Sequence, residues 1–279
     1  MMTPGLVRAA VGLLVVLLGV AHGDAQKPRR RPAVPKAAAP AATRPAAPPA
    51  TDRTVPFRPG ETLTYDIAWS SYLTAGVATL AVKDKRPSGA SSAYYIVAEG
   101  RPTGILSKLY TLYYKADTLL DSRVLLPQRG SIYSQEGNRQ RTRITVFDHA
   151  AQRAEYEVKT TTDVKSSVAL GRYSQDALSA LYALRAVPLK ENSRLTMPVC
   201  DGGKMFRVQF AIGRTEPVRV GTASIQAFRV TPTIADARGA IVGRPMTLWI
   251  SADDRQLPLK LQANLAMGSI NLILRDATR

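Results

Sequence analysis

Cysteine is almost missing from this 279-residue chain. Cys200 stands alone, so no disulfide framework can form within the chain and no cysteine-rich metal site can be built. Histidine is nearly as scarce: His22 and His149 are the two present, which removes most histidine-based catalysis and leaves too few nitrogen and sulfur ligands for the usual zinc site. Acid is in short supply, with 21 Asp and Glu against 38 Lys and Arg, for a net charge of +17. Long apolar runs are lacking too. The longest, 9–21, holds 13 residues, short of the roughly 20 that a spanning helix requires. No phosphate-cradling glycine loop and no Gly-x-Ser-x-Gly elbow occurs.

What is present divides the chain in three. Residues 1–25 read as a secretory signal peptide: Arg8, the apolar run, then small residues before two cleavage points, after Gly23 or after Ala25. The alternative is an uncleaved N-terminal anchor. Residues 26–56 read as a disordered, Pro/Ala/Arg-rich tether. Within 27–56 stand eight Pro, nine Ala, seven Lys or Arg and one acid, Asp52, with no aromatic residue. Proline at that density favours an extended, partly polyproline II segment. The tether carries +6 and the signal 0, which leaves +11 of the +17 on residues 57–279. An exported basic chain points to anionic envelope surfaces as a partner through the tether; no nucleic-acid motif supports that other usual partner. The expected location is the periplasm.

All 18 aromatic residues fall in 57–279, which reads as one domain. Alternation of period two dominates it: Leu63, Tyr65, Ile67 and Trp69 share one face, with Thr62, Thr64, Asp66 and Ala68 opposite. Similar runs recur through 94–98, 109–120, 142–147, 154–161, 194–199, 204–212, 218–220, 223–234, 245–251, 257–265 and 269–275. Glu136-Gly137-Asn138 and Asp201-Gly202-Gly203 are hairpin signals. The pattern predicts a mainly β fold, an antiparallel barrel or curved half-barrel of about a dozen strands. One segment departs from it. Residues 174–186 have helical spacing, with Ser174 as the expected N-cap, Asp176 in the first turn and Arg185 near the C-terminus. A second short helix is expected near 103–109. Gly76-Val77-Ala78-Thr79-Leu80 and Gly268-Ser269-Ile270-Asn271-Leu272 echo each other as strand openings, too briefly to imply duplication.

Three segments carry a family likeness: Phe57-Arg58-Pro59-Gly60-Glu61-Thr62-Leu63-Thr64-Tyr65 with Ala75-Gly76; Gln175-Asp176-Ala177-Leu178-Ser179-Ala180-Leu181-Tyr182 with Arg185; and Leu248-Trp249-Ile250-Ser251 with Asp254 and Leu257-Pro258-Leu259-Lys260. With them the chain resembles the DUF3108 family, bacterial exported domains of unknown function. The resemblance implies export and a β-rich fold, with a distant fold-level likeness to envelope lipoprotein carriers. It supplies no catalytic residues.

The residues themselves give no catalytic set, and no cofactor or metal is expected. His149 follows Asp148 in an expected turn, and Asp253-Asp254 reads as a hairpin turn rather than a metal pair. Cys200 reads as an apolar filler before a reactive thiol. Lys204, Arg207 and Arg219 read as exposed strand charges. The expectation is therefore a non-enzymatic protein. Its first reading is a barrel that binds a lipid or other apolar group, lined by Tyr65, Trp69, Leu80, Leu178, Tyr182 and Trp249, with Asp176 and Arg185 as polar candidates. Its alternative is a structural or assembly protein of the envelope with a solid core.

Overall fold

The computed structural model describes residues 51–69, 73–89, 91–104, 107–108, 111–160, 163–264 and 268–278. The signal segment and most of the tether lie outside the described residues, as do residues 105, 106 and 109 of the expected helix near 103–109, of which Ser107 and Lys108 are helical.

Each alternating run overlaps a strand among the described residues, and strands occupy 67% of the described architecture. The first half of the domain runs β1 (Thr62–Trp69), β2 (Leu73–Ser88), β3 (Ser91–Pro102), β4 (Leu112–Asp121), β5 (Pro127–Glu136), β6 (Arg139–Asp148), β7 (Arg153–Lys159) and β8 (Val164–Ala169). A single described α-helix of regular length, α1 (Ala177–Arg185), follows. The second half runs β9 (Ser193–Asp201), β10 (Lys204–Val220), β11 (Ala223–Ala235), β12 (Ile241–Val242), β13 (Met246–Ser251), β14 (Pro258–Asn264) and β15 (Ser269–Thr278). The expected strands at 204–212 and 218–220 are one strand, β10. It passes through a register shift between Ile212 and Thr215, and such irregularities bend a strand without ending it. Strand β8 was not foreseen, because Val164-Lys165-Ser166-Ser167-Val168-Ala169 is short and mostly exposed.

These strands form one curved antiparallel sheet, ordered β8-β7-β6-β5-β4-β3-β2-β1-β15-β14-β13-β11-β10-β9, with β12 paired to β11. The order is a meander in each half. The halves join where the first and last strands pair, Ile67 opposite Leu272 and Trp69 opposite Ile270. The two echoing glycine segments thus open the two neighbours of β1, since Gly76 lies opposite Ile67 on the other side. The sheet does not close by direct pairing of β8 with β9. Residues 170–176 cross that seam instead. The Gln175 amide donates to the Pro198 carbonyl (2.9 Å), and the Cys200 amide donates to the Gln175 carbonyl (2.8 Å). Phe147, Ala154, Leu170 and Cys200 pack beneath this clasp and knit β6 and β7 to β9.

Helix α1 sits in the concavity. Its Leu178 and Tyr182 pack with Leu63, Tyr65, Ile67 and Leu80 from the first strands and Trp249 and Leu259 from the later ones. Its Ala180 and Leu184 face a second cluster with Val199, Val208, Phe210, Val230 and Ile250. The helix is apolar on both sides because strands meet it on both sides. At the N-terminal edge, Val55 packs on the first cluster, Asp52 pairs with Lys85, and the Arg53 amide donates to the Ser122 carbonyl (2.8 Å). The last residues assigned to the tether therefore lie against the sheet.

Candidate functional site

Two polar features are built around the ends of α1. At its C-terminus, Arg185 and Glu61 are both fully buried (0% exposed). Arg185 Nη1 and Nη2 donate to Glu61 Oε1 and Oε2 at 2.7 and 3.1 Å, a two-pronged pair, and Nε donates to the Gln256 carbonyl at 3.1 Å. Gln256 Nε2 returns a bond to the Arg185 carbonyl. The guanidinium also lies 5.5 Å from the Phe57 ring and 5.1 Å from the Tyr182 ring. Phe57 meets Tyr182 and Tyr94 edge to face, at 4.8 and 5.3 Å. Such a charge survives in the interior because its donors and its counter-charge are satisfied together. Nearby, the Tyr65 hydroxyl donates to the Pro258 carbonyl (2.9 Å), and burial pushes this phenol well above its ordinary range.

The expected N-cap moves by two residues. Asp176, not Ser174, caps the helix: its carboxylate accepts from the Ser179 amide (2.7 Å), while Ser179 Oγ accepts from the Asp176 amide (2.8 Å). Ser174 instead donates to the Gly171 carbonyl (2.7 Å), holding the seam segment. The second oxygen of Asp176 accepts from Thr118 Oγ1 (2.6 Å). Asp176 lies so close over β5 that a Cβ on Gly130 would stand 3.1 Å from Oδ2. Burial drives the Asp176 carboxyl up to about 6, against the opposing pull of its bonds to Thr118 and to the Ser179 and Leu178 amides.

Asp176 lines a small cleft with Asp117, Ser131, Arg143, Thr145, Tyr156, Cys200 and Asp201. Its space is about 30 Å³, room for a water or two rather than an acyl chain. Burial, then Asp201 and Asp176, push the Cys200 thiol up to about 12, so it stays protonated at neutral pH. Asp117 is engaged by Arg129 (3.5 Å) and by Ser131. No group of three or more His, Cys, Asp or Glu among the described residues is placed to hold a metal ion.

The candidate lining residues come together, but with one another. Tyr65, Leu80, Leu178, Tyr182 and Trp249 all belong to one packed cluster. Leu178 alone of these borders the cleft. Trp69 ends β1, and its side chain lies outside the described residues. Trp249 donates its indole N–H to Glu216 (2.5 Å) and lies under Lys260, 4.8 Å from the ring. His149 sits in its expected turn, stacked on Phe147, with Nε2 2.7 Å from the Pro127 carbonyl oxygen. Asp253 accepts from Ser251 Oγ (2.6 Å) and the Arg255 amide (3.2 Å), as a hairpin turn requires. Glu61 was not foreseen as a buried partner. It stands between Gly60 and a strand, and nothing in that spacing marks a lone acid for burial.

The three segments that carry the family likeness therefore converge in one place. Glu61 and Tyr65 come from the first, Tyr182 and Arg185 from the second, and Trp249 and Pro258 from the third. The sequence profile of DUF3108, described as a protein of unknown function, matches residues 64–275. The chain belongs to the DUF3108 family. Comparison with curated proteins gives no match. Among solved structures, the DUF3108 domain is similar to the β-barrel-like DUF1849 protein of Brucella abortus, with a TM-score of 0.51 at 9% identity, over 82% of this chain and 99% of that one. That likeness is one of fold. A candidate lipoprotein of Parabacteroides distasonis aligns at TM-score 0.37 and 7% identity, over 82% of this chain and 100% of its own. A candidate exported protein with a YmcC-like fold from Bacteroides fragilis aligns at 0.32 and 11%, again over 82% and 100%. No helix among the described residues is long and apolar enough to cross a membrane.

Proposed function

We propose that this DUF3108 chain is an exported, non-enzymatic envelope protein that works through its outer surface, as an assembly or interaction module, with the barrel interior serving as its core. One observation carries the reading. Tyr65, Leu80, Leu178, Tyr182 and Trp249, all expected to line a ligand chamber, are packed against one another in the core that holds the buried Arg185–Glu61 pair. A ligand pocket for a drug-sized or acyl molecule measures roughly 300–1,000 Å³. The cleft at the helix N-terminus is an order of magnitude smaller. The family segments supply that core and no reactive constellation, so the likeness is one of architecture. Export rests on the pattern of residues 1–25, and the basic tether would hold the domain near anionic surfaces.

The test is native mass spectrometry of protein taken from its own envelope, paired with cross-linking in the intact envelope. The expected result is a mass equal to the processed polypeptide and a discrete cross-linked protein. A stoichiometric apolar molecule riding on the protein would overturn this reading in favour of an interior carrier.

A further inference from the structure

The strongest feature outside the core is an open groove of about 530 Å³ beside the seam, lined by Gly171, Pro198, Met205, Phe206, Arg207, Asp236, Ala237, Arg238 and Gly239. Its floor is apolar, with Phe206 buried and Pro198 and Met205 half-buried. Its charge is basic. Arg207 is exposed and has no ion-pair partner among the described residues. Arg238 is 92% exposed at its side chain and reaches Asp236 only at 3.8 Å. Asp236 is committed to its own turn, where one oxygen accepts from the Arg238 and Ala240 amides, both at 2.9 Å.

The flanks are unusual in a second, independent way. Four large apolar or aromatic side chains are exposed among the described residues. Two of them stand two positions beyond groove residues: Tyr173 (66%) after Gly171, and Ile241 (69%) after Gly239. Tyr173 has a φ of +61°, a left-handed backbone conformation that costs a side-chain-bearing residue and that glycine would adopt freely. The chain thus holds an aromatic ring in water on a strained backbone, with Arg172 placed 5.6 Å from the ring. An apolar floor with arginines, and an exposed tyrosine two positions along the chain from it, are the residue types that dominate protein interfaces.

We propose that this groove docks an extended acidic segment of a protein partner, apolar side chains down on Phe206 and Met205, carboxylates up to Arg207 and Arg238. Charge complementarity selects the acid, since the chain is strongly basic and the groove repeats that sign. Arginine forks match carboxylates in two-pronged fashion. The apolar floor selects a segment that carries apolar side chains as well as acid over a headgroup surface, which offers charge alone. The proposal rests on the surface-acting function above and names the partner class.

The probe is a fluorescein-labelled octapeptide alternating Val and Glu, titrated by anisotropy against the processed full chain. Its controls are a Val/Lys octapeptide, an all-Glu octapeptide, and vesicles with and without phosphatidylglycerol. The Val/Glu peptide is expected to bind best, weakening as salt rises. The double variant Arg207→Glu/Arg238→Glu is expected to lose at least tenfold in affinity. Tyr173→Gly is expected to lose several-fold while its melting temperature stays level or rises, because the backbone strain is relieved. Equal binding of the Val/Lys peptide, unchanged affinity in the double variant, or binding to anionic vesicles alone would overturn the proposal. Cross-linking separates the two levels. A partner that still cross-links to the double variant leaves the surface-acting reading standing and refutes this groove. A bound apolar molecule with no protein cross-link refutes both.

Discussion

Glu61 and Arg185 illustrate what a buried charge pair does for a fold. Each ion by itself would cost several kcal/mol in the interior, and the pair is tolerable because each satisfies the other. Removing one partner should therefore be worse than removing both. Glu61→Leu or Arg185→Met is expected to destabilise by about 3–5 kcal/mol. The combined Glu61→Leu/Arg185→Met variant is expected to lose clearly less than the sum, although the Gln256 carbonyl then lacks its donor. Urea unfolding of the four proteins measures this coupling, and strict additivity would show that the pair is not a unit. Asp176 gives a pH signature. Its folded carboxyl titrates near 6, above the ordinary 3.8, so ionising it costs more in the folded chain than in the unfolded one. Its contribution to stability therefore declines as pH rises from about 4 to about 6 and is level above that. Asp176→Asn keeps an acceptor for the Ser179 amide and removes the titration. The variant is expected to show a flatter stability profile across that window, by about 2 kcal/mol after allowing for the side chain's partial exposure. An unchanged slope would place the titration elsewhere.

Hairpins and the seam belong to the scale of elements. The Asp201-Gly202-Gly203 turn was legible from composition, but its second role was not. Gly203 adopts φ +71°, and a Cβ there would stand 2.8 Å from Tyr156 Cδ1 on β7. The β9–β10 turn is thus pressed against the far edge of the sheet, where it helps the curl hold. Gly137, in the β5–β6 hairpin, has φ +60° with nothing within 4 Å of the added atom. Gly→Ala at 137 should cost only the left-handed backbone penalty, about 1 kcal/mol. The same change at 203 adds a clash with a ring and should cost about 1–3 kcal/mol more. Thermal melts of the two variants compare them directly, and equal losses would mean that the turn does not press on Tyr156. This pair also shows where sequence reading stops. Turn chemistry is local and was readable, as were most of the strands and the helix α1. Which distant ring a turn touches depends on curvature, which alternation does not encode. The N-cap was misplaced for a related reason. Ser174 and Asp176 are both good caps by type. The choice fell to Asp176 because Thr118 on β4 and the room above Gly130 on β5 receive its carboxylate.

Across the whole molecule, the decisive fact is that the first and last strands pair in the middle of the sheet. About a dozen alternating runs were enough to read an antiparallel barrel or half-barrel. They could not reveal this order, since Ile67 meets Leu272 across most of the domain's length and no local signal links them. The same lack of sequence-local information hid the site: Arg185 and Glu61 are 124 positions apart. The topology has a consequence for folding. Each half is a meander that can zip locally, but β1 gains its second neighbour only when β15 arrives, and α1 packs against strands of both halves. Contacts of such sequence separation must overcome loop-closure entropy before they stabilise anything. The halves should therefore fold as one cooperative unit, slowly, and neither should hold α1 alone. A chain ending at Asn264 lacks β15, which exposes one edge of β1 and one of β14 and strips Ile270, Leu272 and Leu274 from the core. It also unlinks the two halves while leaving every local hairpin up to β14 intact. The truncated protein is expected to lose the single cooperative urea transition of the full chain and to show rapid exchange of α1 amides in hydrogen-exchange measurements. If the truncated chain kept one sharp transition and slow exchange in α1, the β1–β15 junction would be a mere seam, and the clasp at Gln175 would have to be what unites the fold.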